Sequence, residues 1–287
     1  MVKLVRIVIS KFGEISDEEV DSAVKTMEEC YERLKPHKVE LVDVCLFERS
    51  STAEAFLSKE SAEVGVVSAS FGELFFATHE AWRGTPRITL CFEKMRKLPK
   101  LVQVGGIRHE VGHSVLHGSL RYYLLLLPTV FLDMAKHFGL STQYVTNLLY
   151  LTSIAVKDCE VSRLLYGRGY LEDQAAYAKH TLTISESDTL SWEVSRGKPI
   201  SEILCLVSCL KAAGCAAPLF SDERLGEEMK RRLMESLSYL PTDYSTLLFD
   251  VILEGFSSLG ADTLSNIEQM ARLIADKIIK PILERRG

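Results

Sequence analysis

LVQVGGIRHEVGHSVLHG, residues 101–118, is the stretch on which the reading of this chain turns. Val102, Val104, Ile107, Val111, Val115 and Leu116 recur at helical spacing, and Gly118 stops the run. One helix is expected there. On it, His109 and His113 stand four residues apart, one turn along the same face, so both imidazoles can reach a single metal ion. Glu110 lies about 100° round the helix from His109, which sets a carboxylate beside such an ion rather than on it. Gly106 and Gly112 each weaken a helix interior by roughly 1 kcal/mol relative to alanine. A helix carrying both is expected to have something packed close to its backbone.

Two histidines four apart with a glutamate between them form the HExxH pattern of zinc-dependent hydrolases, zinc peptidases in particular. The chemistry explains the residue types. The imidazoles hold the ion, and the carboxylate takes a proton from water that the ion has made acidic. Zinc is the expected cofactor and a peptide or protein the expected substrate.

Upstream of this helix, strand and helix patterns alternate. Strands are expected at residues 2–10, 39–47, 64–70 and 87–93, with another at 71–77, and helices at 17–34 and 52–62. Ser16 is placed to cap the first helix, with acidic residues in its first turn. In residues 87–93, Ile88, Leu90 and Phe92 alternate with Thr89, Cys91 and Glu93. After residue 101 the pattern is helical, with helices expected at 101–117, 121–138, 142–166, 170–181, 184–195, 200–213, 222–238, 243–257 and 262–284, and with Ser141 and Asp243 as caps. The order gives an α+β fold: residues 1–100 carry the sheet, and residues 101–287 form a helical part holding HExxH.

Composition sets limits. The 287 residues are 47% hydrophobic and 25% charged, ordinary for a soluble globular chain. A net charge of −5 gives no electrostatic case for nucleic acid. Cysteines at positions 30, 45, 91, 159, 205, 209 and 215 are odd in number and include no CxxC, which suits buried reduced thiols and a cytoplasmic setting. The opening run MVKLVRIVIS is too short and too alternating for a signal peptide. Residues 122–132 are strongly apolar but contain Pro128 and fall short of the about 20 residues of a membrane span, so a buried helix is expected and no span.

The layout resembles the zincin peptidases, gluzincins especially, over roughly residues 87–165. The resemblance implies a mixed sheet packed on the HExxH helix, with an edge strand that pairs with extended substrate; residues 87–93 would fill that role. A third zinc ligand is then required. The metzincin pattern is rejected, because Leu116 and Ser119 stand where it needs Gly and His. His117 continues the four-residue spacing but lies two turns from His109, which suits a supporting or rim position, or simply a helix C-terminal residue favoured by the macrodipole. The run Lys157-Asp158-Cys159-Glu160-Val161-Ser162-Arg163 resembles the glutamate helix of the CAAX-protease and heat-shock-protease family, with Asp158 at the ligand position and Ser162 at that of the supporting Asp. Asp158 and Glu160 point about 200° apart, so only one of them faces the metal. Asp158 sits in an apolar stripe with Leu151, Ile154, Val161 and Leu165, which favours it; Glu160 sits in a more polar one. Tyr166, Tyr170, Tyr177 and His180 are candidates for the oxyanion donor that zinc peptidases use. Asp173 and His137 have no local feature that singles them out, and His79-Glu80 lacks the second histidine, Arg83 standing there.

These readings converge on a soluble, gluzincin-like zinc metallopeptidase with His109, His113 and Asp158 or Glu160 on the metal and Glu110 as general base. The alternative from another class is a catalytically weak zincin-type binding or regulatory module. The departures at Asp158 and Ser162 and the long helical C-terminal part favour that alternative.

Overall fold

Ser16 begins the first helix as its chemistry dictates. Its hydroxyl accepts from the Glu19 amide while Glu19 reaches back to the Ser16 amide, which closes a capping box at the start of α1 (Asp17–Arg33). This helix joins two parallel strands, β1 (Arg6–Phe12) and β2 (Leu41–Phe47), which pair in register from Arg6↔Leu41 to Phe12↔Phe47. Parallel neighbours need such a crossover. The computed structural model describes residues 4–64 and 76–284. Among them, α2 (Ser50–Val64) follows β2, and β3 (Ala77–Glu80) and β4 (Arg87–Cys91) complete a mixed sheet of order β1-β2-β4-β3. The strand expected at residues 64–70, apart from Val64, which ends α2, and most of that expected at 71–77, fall outside the described residues.

The sheet corrects one expectation. β4 is not an edge strand: it pairs parallel with β2 and antiparallel with β3. Ile88 and Leu90 are buried on one face, and so are Thr89 and Cys91 on the other. The alternation in the sequence reflects two covered faces, because Thr and Cys are small enough to be buried as readily as an aliphatic residue. Backbone pairing of substrate with residues 87–93 is therefore ruled out by the strands already on both sides. Phe12 stacks on Phe47 at 4.5 Å, and Cys45, Phe47 and Cys91 pack with Ala53 and Leu57 of α2. The opposite face of the sheet carries Val44, Leu46, Ile88 and Leu90, all buried.

The chain divides into two compact units. The first comprises residues 1–124 and 164–180, and the second residues 125–163 and 181–287. The HExxH helix, α4 (Lys100–His117), belongs to the first unit together with the sheet, the short α3 (Phe92–Met95) and most of α7 (Leu171–Thr181).

The second unit is helical. It contains α5 (Thr129–Phe138), most of α6 (Thr142–Gly167), α8 (Glu186–Ser195), α9 (Pro199–Ala216), α10 (Gly226–Ser236), α11 (Thr242–Ser257), α12 (Thr263–Ile274) and α13 (Lys280–Glu284). A single wide turn, Ala275–Ile279, links the last two and accounts for the one long helix expected at 262–284. Ser141 accepts from the Tyr144 amide, as expected of a cap. Asp243 instead lies within the first turn of α11, whose cap is Pro241. The helix expected at 121–138 starts only at Thr129. Pro128 disfavours helical backbone in the residue before it, and Leu126 is left 92% exposed. The segment Pro199–Leu219 is long and apolar enough to cross a membrane by length and composition, with a mean hydropathy of 1.7 and 56% of it buried. All seven cysteines are free thiols.

Candidate metal centre

One arginine ties helix α4 to both α1 and α7. Arg108 donates to Asp173 of α7 at 3.0 Å and to Glu29 of α1 at 2.7 Å, and lies over the Tyr170 ring. Tyr170 in turn donates to Glu29 at 3.1 Å. Next to this anchor, Gly105 and Gly106 let neighbours touch the helix backbone. A Cβ on Gly105 would run into the Asp173 carbonyl, and one on Gly106 into the Phe76 ring. Gln174 donates to the Gly105 carbonyl at 3.0 Å. The close approach expected around Gly106 is thus present. Farther along, Ser114 gives its proton to the Val111 carbonyl, so Tyr31 of α1 is the donor in their 2.7 Å contact. Burial pushes the Tyr31 phenol up, and it is a neutral donor here.

These anchors fix the rotation of α4 and so present a row of histidines. His109 and His113 approach each other through Nε2 atoms 3.2 Å apart, with their rings at 78°. Two nitrogens bound at about 2.0–2.1 Å to a tetrahedral ion stand about 3.3 Å apart. The separation of the two nitrogens is therefore compatible with two ligands of one ion. Glu110, next along the helix, is only 5% exposed. His113 also turns Nδ1 toward Nδ1 of His117 at 3.3 Å. His117 is fully buried and stands edge-on to Tyr122 at 5.2 Å.

The sheet adds a residue that the motif did not point to. His79 of β3 is opposite Ile88 in the antiparallel register, so its side chain leaves the sheet on the Ile88 face. Its ring lies parallel to that of His113 at 5.9 Å, and the Tyr123 hydroxyl is 2.9 Å from its Nδ1. The local signal was the dipeptide His79-Glu80, set aside because it did not repeat HExxH. Its partner in space was not visible until the strand register was known. Of the expected oxyanion donors, Tyr177 has its ring 5.2 Å from that of His109. Tyr170 is instead committed to Glu29 and the arginines. Tyr166 and His180 are half-buried on α6 and α7.

The two expected carboxylate ligands lie on α6 within the second unit, both buried. Glu160 accepts from Thr263 at 2.7 Å and from Asn266 at 2.5 Å, one bond to each oxygen. Asp158 lies near α9: Gly214 brings that helix against the Ala155 carbonyl, and the Cys215 sulfur is within 4.8 Å of an Asp158 oxygen. Lys157 between them is buried, and desolvation brings its pKa down to about 8 despite both acids. Comparison with protein-family models, with curated proteins and with solved structures finds no match to this chain.

Proposed function

We propose that the protein is a zinc-dependent metallopeptidase in which His109 and His113 hold the ion and Glu110 is the general base. The observation that carries the reading is the 3.2 Å convergence of the two Nε2 atoms on one face of α4, with a buried glutamate at the next position. A bound zinc ion supplies Lewis acidity, acidifying water and polarising a scissile carbonyl. Glu110 takes the proton from the attacking water and returns it to the leaving amine. For the third ligand we propose Asp158. Its rival Glu160 already uses both oxygens, and moving it would leave Thr263 and Asn266 with unmet donors.

A second reading is favoured by two observations: His109, Glu110 and His117 are nearly closed to solvent, and β4 has no free edge. It is a metal-stabilised binding module with little turnover. Elemental analysis of the purified protein combined with a peptidase assay separates the two. For the peptidase, wild type carries about one zinc per chain and cleaves unfolded protein substrates. Glu110→Gln then keeps the zinc and loses several orders of magnitude in rate. Zinc without cleavage supports the module. Equal metal content in wild type and His113→Ala overturns both.

A further inference from the structure

His113 is pulled two ways, by Nε2 toward His109 at 3.2 Å and by Nδ1 toward His117 at 3.3 Å. A neutral imidazole has one N–H and one bare nitrogen. If the proton sits on Nε2, it points at His109 and closes the spot where a metal would bind. If it sits on Nδ1, Nε2 accepts from His109 in the metal-free chain and offers its lone pair to an ion once His109 moves that proton to its own Nδ1. On the Nδ1 side, His113 faces His117 Nδ1 at 3.3 Å. His117 cannot swing away: it is fully buried, one turn beyond His113 on the same helix, with Tyr122 edge-on to its ring.

We infer that His117 is a positioning residue which accepts the Nδ1 proton of His113 and so holds His113 as the tautomer that presents bare Nε2 to zinc. The arrangement replaces, with a third histidine of the same helix, the carboxylate or carbonyl that commonly orients a metal-bound imidazole. It also explains why the four-residue spacing runs on to His117 although two turns of helix put that ring too far from His109 to share its ion. The inference rests on the zinc reading, but the tautomer itself is observable without metal.

The test is histidine nitrogen NMR on the metal-free full chain at about pH 8, above the ordinary histidine range, with zinc affinity measured by chelator competition. In wild type, His113 is expected to carry its proton on Nδ1. In His117→Leu that preference is lost and zinc binding weakens about 10- to 100-fold. His117→Asn, whose side-chain oxygen sits near the place of Nδ1 and accepts a proton, recovers most of the affinity. A leucine variant that binds zinc as tightly as wild type overturns the inference, as does a wild-type His113 protonated on Nε2, which needs no variant to fold. If His113 is found with Nδ1–H but no chain binds zinc, the tautomer lock stands and the metallopeptidase reading fails.

Discussion

Asp158 and Glu160 carry the same charge two residues apart, and their surroundings make their substitutions differ. Removing the Asp158 side chain takes away a buried carboxylate that neighbours a thiol. Removing that of Glu160 leaves two buried donors, Thr263 and Asn266, without their acceptor. Each orphaned donor costs about 1–3 kcal/mol. On the zinc reading, Asp158→Ala is expected to lower zinc affinity by at least tenfold. Glu160→Ala is expected to lower stability by several kcal/mol while zinc affinity per folded chain holds. Isothermal titration with zinc and urea unfolding of each variant check this; the reverse pattern would transfer the ligand role to Glu160. The burial of Asp158 was legible in its apolar stripe. The hydrogen bonds that commit Glu160 were not, because their donors lie more than a hundred residues away in the chain.

At the scale of elements, helix α4 shows what periodicity reveals and what it hides. The bounds of the helix and its histidine face follow from spacing that the chain states locally. So do the Ser16 cap and the parallel pair built around α1. The burial of both faces of β4 does not, since strand order depends on which partners arrive on either side. The leucines before Pro128 resemble a helix in composition, yet the proline's backbone constraint decides against it. Glycine is the sharpest case. Gly105 sits where the Asp173 backbone would meet any Cβ, whereas Gly167, at the end of α6, has open space beside it. Alanine is the better helix former by about 1 kcal/mol, so Gly167→Ala is expected to be neutral or mildly stabilising. The same change at Gly105 must push α7 away and is expected to cost about 1–3 kcal/mol. Urea midpoints with unchanged slope measure both, and a Gly105→Ala variant as stable as wild type would show that the α4–α7 contact is looser than described.

Across the whole molecule, the cysteines set a limit that no single element reveals. The seven thiols are free, and all but Cys209 are buried. Desolvation pushes Cys30 and Cys159 up to about 12, and Cys45 and Cys205 up to about 11. An unfolded chain releases these protons near about 8.5. Between that value and the folded one, the native state holds more protons than the unfolded state, so stability is fully present below about pH 8.5 and falls as pH rises. Each thiol contributes on the order of 1 kcal/mol per pH unit in that window. Lys157 works the other way: with its pKa brought down to about 8, its buried-charge cost is relieved as pH climbs toward the ordinary lysine value. One such group cannot offset these thiols together with Cys91 and Cys209, which burial also pushes up. With a total stability of about 5–15 kcal/mol, the protein is expected to hold a nearly flat urea midpoint from neutral pH to about 8.5 and to lose stability progressively above it. Under reducing conditions the loss is reversible on returning to neutral pH, since no disulfide forms. Native protein at about pH 8 should meanwhile react with a thiol reagent at Cys209 at most, the buried thiols being both protonated and shielded. Rapid labelling of several thiols under native conditions, or a urea midpoint unchanged through about pH 10.5, would contradict a core in which these sulfurs are sealed from water.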